Sequence, residues 1–149
     1  VADFEPRDAG YEQRVRESFA RQRAMETFGA RLLRVGPGEV EIGLEFREEL
    51  TQQDGYLHAG IVAALVDTAC GYAALSLTEP GAEVLSVEFK LNLLSPAAGQ
   101  SFIARARVVR SGRNLTVCAG DCYALKDDVE KVVATMLATM MKVSAEARP

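Results

Sequence analysis

An α+β fold, one long helix wrapped by a curved antiparallel sheet, is predicted by three features of the sequence. The run from Ala59 to Leu77 is apolar on every side of a helix, so it has to be covered all round. In the stretch from Leu85 to Leu93 the period drops to two, with Leu85, Val87, Phe89, Leu91 and Leu93 facing one way and Ser86, Glu88, Lys90 and Asn92 the other. Three more alternating segments follow, near Phe102–Val109, Leu115–Leu125 and Val132–Val143, and their spacing predicts an antiparallel meander. A sheet curling around the helix covers most of it. The side left open calls for a partner subunit.

The elements before the long helix follow from local signals. Tyr11, Val15, Phe19, Met25 and Phe28 recur at roughly helical spacing among charges, which predicts one amphipathic helix from Asp8 to Gly29 on the outside of the domain. From Arg31 to Phe46 a Gly-Pro-Gly turn at Gly36–Gly38 separates two strands, so this segment reads as a hairpin. The polar connection Arg47–Gly55 leads into the long helix, which stops near Glu79-Pro80-Gly81. Turns at Ser95–Gly99, Ser111-Gly112 and Lys126–Asp128 divide the later strands. The expected organisation is a helical extension over residues 1–30, one domain over 31–143 and a tail over 144–149.

Composition narrows the function. At 149 residues the chain is the size of one domain, and its 48% hydrophobic and 26% charged residues are those of a globular protein. With 17 Lys plus Arg against 21 Asp plus Glu, the net charge of −4 provides no field for a nucleic-acid backbone. Asp67 in the middle of the apolar run, and soluble-type strands after it, favour a core helix over a membrane span. The N-terminus has no basic segment leading into an apolar one, and the odd count of three Cys sits in apolar or alternating stretches. Both point to a reducing, cytoplasmic setting. One His, with Cys118 and Cys122 on one strand face, does not build a metal site. Cys70 has no His partner in view, and no Gly-x-Ser-x-Gly elbow occurs, so neither a Cys nor a Ser nucleophile is supported.

The stretch Gln52-Gln53-Asp54-Gly55-Tyr56-Leu57-His58-Ala59-Gly60, followed by Ile61 to Asp67, then Ser86 and Leu94-Ser95-Pro96-Ala97, resembles the hotdog-fold acyl-CoA thioesterases of the phenylacetic acid degradation type. That family's pattern is an Asn, a Gly, His-Gly-Gly, and an Asp nine residues after the His. Here Gln52 stands for the Asn, Ala59 for the first Gly of the His-Gly-Gly, and Asp67 for the Asp. The run from Val108 to Leu115 is similar to the family's hairpin near the CoA nucleotide, and the likeness extends over Arg31 to Val143 in element order.

The resemblance implies a hotdog domain that hydrolyses an acyl-CoA thioester, with CoA as part of the substrate and no other cofactor. Asp67 is the only carboxylate between His58 and Glu79. An ionised carboxylate on so apolar a helix loses hydration, which strengthens it as a base. It would activate water or attack the carbonyl itself. Ala59 and Gly60 open the helix, where free N–H groups and the positive end of the dipole suit an oxyanion, and the Ala59 N–H is the expected donor. His58 is expected to brace the loop or cap the helix. Gln52 would hold water or the carbonyl through its amide, and Ser86 would orient the water beside Asp67. Arg105, Arg107, Arg110 and Arg113 concentrate cationic charge on one hairpin. Arg110, Gly112 and Arg113 are the expected phosphate contacts there.

Eight helical steps separate Ala59 from Asp67, about 12 Å along the axis, too far for both to reach one carbonyl. If both act, two chains pair to share two equivalent sites, and a dimer of dimers is a further expectation. Two rivals stay open. One is a silent acyl-CoA binding or sensing module, and the other is a hotdog hydratase or dehydratase. Which of Tyr56, Tyr72, Leu75 and Phe89 lines the acyl pocket is not settled by spacing.

Overall fold

The computed structural model describes residues 4–144 and 146. Its elements are α1 (Tyr11–Ala20), α2 (Arg23–Phe28), β1 (Arg31–Gly36), β2 (Glu39–Glu45), a short 3-10 turn (Glu48–Leu50), α3 (Ala59–Leu75), β3 (Ala82–Leu93), β4 (Ser101–Ser111), β5 (Leu115–Lys126) and β6 (Val129–Ser144). One antiparallel sheet of six strands, in the order β1-β2-β4-β5-β6-β3, wraps α3. This is the hotdog arrangement. No helix among the described residues is long and apolar enough to cross a membrane. Of the expected tail, residues 145 and 147–149 lie outside the described residues.

Helix α3 buries Val62, Leu65, Val66, Ala69, Cys70 and Tyr72–Leu75 against the concave side of the sheet. The approach is close at Gly120 of β5, where an added Cβ would stand 2.7 Å from Val66 Cγ1, so any larger residue there would push the helix off the sheet. Cys118 and Cys122 flank this point on the inner face and are fully buried, as alternation predicts. Gly60, Ala63, Ala64, Asp67, Thr68 and Gly71 keep partial or full exposure, and they form the side of the helix that the sheet does not cover.

Two expectations are corrected. The N-terminal segment is two helices, because Arg21 and Gln22 leave the helix and Gln22 adopts an extended backbone (φ −82°, ψ 96°). At ~100° per residue, a straight helix would turn Phe28 to nearly the opposite side from Val15. With the break, Val15 and Met25 are buried and Phe28 also packs against the core. Gly29, at φ 74°, then ends α2 in the left-handed conformation that glycine adopts without strain.

The second correction concerns β3. Register with β6 slips between Ser86 and Glu88, so Val87 is a bulge. One extra residue exchanges the two faces of a strand. Ser86 opposes Met140, whereas Phe89, Leu91 and Leu93 oppose Ala138, Met136 and Ala134, all on the inner face. Leu85 lies on the outer face. Ser86 therefore shares the helix-facing side with the strand's later apolar residues, the opposite of what unbroken alternation predicts.

Candidate active site

Asp67 lies on the half-exposed side of α3, opposite β3. The bulge at Val87 turns Ser86 toward it, and Ser86 Oγ donates to Asp67 Oδ1 at 2.7 Å. Met140 Sδ lies 3.4 Å from the same hydroxyl. One carboxylate oxygen is thus held by the sheet. The other has no hydrogen-bond partner among the described residues.

These two residues line a cavity of about 550 Å³ together with Thr68, Gly71, Tyr72 and Leu75 of α3 and Glu83, Val84 and Leu85 of β3. Positions 67, 68, 71, 72 and 75 form one face of a helix, so the helical wall was readable once Asp67 was chosen. Of the four candidate lining residues, Tyr72 and Leu75 are present and Tyr56 and Phe89 are not. Sequence reasoning missed the outer wall, which comes from Ser18, Arg21 and Gln22 of the N-terminal segment. Burial raises the Tyr72 phenol above its ordinary pKa, so it remains a neutral hydroxyl.

At the start of α3, His58 is the N-cap, and its Nδ1 accepts from Gly60 N at 2.8 Å. The capping role expected of His58 is what the geometry gives. It also occupies the Gly60 amide, whereas the Ala59 N–H has no acceptor among the described residues. Gln52 is turned into its own loop: its Oε1 accepts from Asp54 N, and Nε2 lies 3.5 Å from Asp54 Oδ2.

At the β4–β5 hairpin, Gly112 N donates to Leu115 O at 2.8 Å, and an added Cβ would stand 2.5 Å from that oxygen. Arg113 sits beside Arg7, Glu79 and Lys142. Arg110 points to the outer face opposite Val117, because a second bulge at Val109 shifts the register. Neither Arg110 nor Arg113 forms an ion pair among the described residues. Arg105, by contrast, is bidentate to Glu130 at 2.6 and 2.7 Å and lies over the Tyr123 ring. No three His, Cys, Asp or Glu side chains come together as a metal site among the described residues.

The fold and much of the sequence are matched by comparison with known proteins. The thioesterase superfamily model matches residues 54–131, just over half of the chain. The chain belongs to the thioesterase superfamily. A crystal structure of a thioesterase family protein from Silicibacter pomeroyi is 53% identical, covers 91% of this chain and 99% of its own, and superimposes with a TM-score of 0.89. Human acyl-coenzyme A thioesterase 13 is 35% identical over 91 residues, which is 60% of this chain and 64% of that protein. The match therefore spans just under two thirds of that relative. The PaaI protein of the Escherichia coli phenylacetic acid degradation operon shares the fold, with a TM-score of 0.79 at 19% identity. In this thioesterase domain, Asp67, Ala59 and Gly60 fall inside the family match, whereas Gln52 and the helices α1 and α2 fall outside it.

Proposed function

We propose that the chain hydrolyses acyl-CoA thioesters of small, medium-chain or aryl acids to the free acid and CoA, as a thioesterase of the phenylacetic acid degradation type. The Asp67–Ser86 pair on the cavity wall carries this reading. Asp67 takes a proton from water as the water oxygen bonds to the thioester carbon, and the carbonyl oxygen becomes an oxyanion held by an Ala59 N–H. The C–S bond then breaks, the acid leaves, and the CoA sulfur receives the proton from Asp67. General-base action is favoured over direct attack because Ser86, the hydroxyl expected to orient the water, is hydrogen-bonded to Asp67 Oδ1. A hydratase reading is disfavoured, since His58 Nδ1 is already engaged by Gly60.

Ala59 and Asp67 lie too far apart along α3 to share one carbonyl, so the donor and the base come from different chains of a homodimer. Strand β3 is the end of the sheet and exposes Leu85, Val87, Phe89 and Leu93. A long apolar edge of this kind is suited to pairing with a second copy. Leu85, Met141 and Leu115 stand in register on the outer face and are exposed, which supports a dimer of dimers. Arg113 and the Gly112 turn, with Arg110 nearby, are the proposed holders of the CoA phosphates. The free, buried Cys70, Cys118 and Cys122 fit a reducing, cytoplasmic setting.

The test is thiol release from acetyl-, hexanoyl- and phenylacetyl-CoA. The protein's own thiols will not contribute, because burial pushes the pKa values of Cys118 and Cys122 up to about 12 and that of Cys70 higher still. Asp67→Asn is expected to lower the rate by roughly 10²–10⁴, the usual range for losing a general base. An unchanged rate removes Asp67 from the mechanism, and CoA-ester binding without thiol release by the wild type supports the sensing module.

A further inference from the structure

The cavity's outer wall is built with as much care as its catalytic side. Helix α1 is fixed to the end of α3 by Arg14, whose Nη2 donates to Thr78 O at 2.7 Å and whose Nη1 donates to Thr78 Oγ1 at 2.9 Å. Phe19 meets the Tyr72 ring edge-on, with centroids 5.8 Å apart, and Ser18 Oγ lies 3.4 Å from the Tyr72 hydroxyl. Val15 between them is fully buried. These contacts pack the wall onto α3, and it lies outside the residues of the family match.

Gln22 is the anomaly in that wall. It occupies the N-cap of α2, yet its side chain caps nothing. Its Oε1 is shielded from solvent and has no hydrogen-bond partner among the described residues. A buried amide oxygen without a partner destabilises the fold, and native structures leave few of them. Leu75, Val84, Leu85 and Val143 supply the apolar part of the cavity lining, alongside the charged Arg21 and Glu83. Asp67 and Tyr72 are five residues apart on α3, about 7.5 Å along the axis, so the Gln22 wall stands at the far end of a group whose carbonyl lies beside Asp67.

We infer that Gln22 is a specificity-determining residue, which accepts a hydrogen bond from a donor, such as a hydroxyl, at the distal end of the acyl group. The assignment rests on the acyl-thioester reading of the cavity. Satisfying the amide on binding favours such a group over an alkyl chain of the same size, which would leave the oxygen unpaired. Tyr72, held by Ser18 and Phe19, is the positioning residue that keeps the wall at this distance.

The test uses affinities for non-hydrolysable analogues in which a methylene replaces the thioester sulfur, so that recognition is read apart from hydrolysis. The carba(dethia) analogues of 6-hydroxyhexanoyl-CoA and heptanoyl-CoA form one isosteric pair, and a pair two carbons longer forms a second. Wild type is expected to prefer the hydroxylated member of at least one pair by roughly tenfold. Gln22→Leu is expected to abolish or invert that preference without lowering the thermal midpoint, and Gln22→Glu, which keeps an acceptor, to retain it. Equal affinities in both pairs for wild type, no binding of either pair, or a preference that survives Gln22→Leu overturns the inference. A preference lost in Gln22→Leu supports it even if the parent thioesters release no thiol, in which case only the hydrolytic reading falls.

Discussion

The two ends of α3 are treated in opposite ways. At its C-terminal end the carbonyls are satisfied several times over: Ser76 Oγ donates to Ala73 O at 2.7 Å, Thr78 Oγ1 to Leu75 O at 2.9 Å, and the Arg14 guanidinium places a positive charge where the helix dipole is negative. At its N-terminal end, His58 takes the Gly60 amide and leaves the Ala59 N–H without an acceptor. This helix start is not buried, so the unpaired donor is open to water or to a ligand. Under the proposed mechanism, the difference separates stability from chemistry along one element. The closed end ties the N-terminal helices to the core, and the open end leaves the Ala59 N–H for its proposed role as oxyanion donor.

Substitutions at each end sharpen this contrast. Ala59→Pro removes the donor at N1, the one helical position that proline occupies comfortably, and His58 already has the extended backbone that precedes proline. Its expected effect is a fall of roughly 10²–10³ in kcat with circular dichroism and thermal midpoint nearly unchanged. At the closed end, Arg14→Met is expected to cost about 2 kcal/mol, the value of hydrogen bonds from a charged donor in a part-buried site. A lowered urea midpoint would register it, with activity per folded molecule retained. Between the two ends, Ser86→Ala releases the Asp67 carboxylate from the sheet and is expected to lower kcat by about tenfold at constant KM, read by steady-state kinetics. Should Arg14→Met abolish activity in the folded protein, or Ala59→Pro unfold it, the division of the helix into a structural and a chemical end would be broken.

Much of this was legible in the residues, and the failures have physical causes. Helix α3 was plain because nothing polar but Asp67 and Thr68 interrupts its middle, and the strands of the meander were plain from alternation. Bulges were invisible. An extra residue at Val87 leaves composition and length untouched while reversing which side chains face the helix, so alternation alone turns Ser86 outward, and only the family resemblance put it beside Asp67, where it lies. The break at Gln22 was hidden for a similar reason, since Arg21 and Gln22 are both good helix formers and only packing turns the chain there. Gln22, Ser18 and Arg21 could not be assigned to the cavity because no local pattern links α1 to a site that lies dozens of residues away. The Asp67, Ala59 and hairpin candidates were reached through motif spacing, which survives such irregularities.

Complementation between two inactive variants addresses the sharing of the site directly. Ala59→Pro and Asp67→Asn chains, each inactive alone, are to be unfolded together, refolded at equal concentration and assayed for thiol release. A hybrid dimer carries one site with both lesions and one with none, so random pairing is expected to restore about a quarter of wild-type activity. Mixtures that stay as inactive as either variant alone, while forming hybrid dimers, would contradict a site built from two chains.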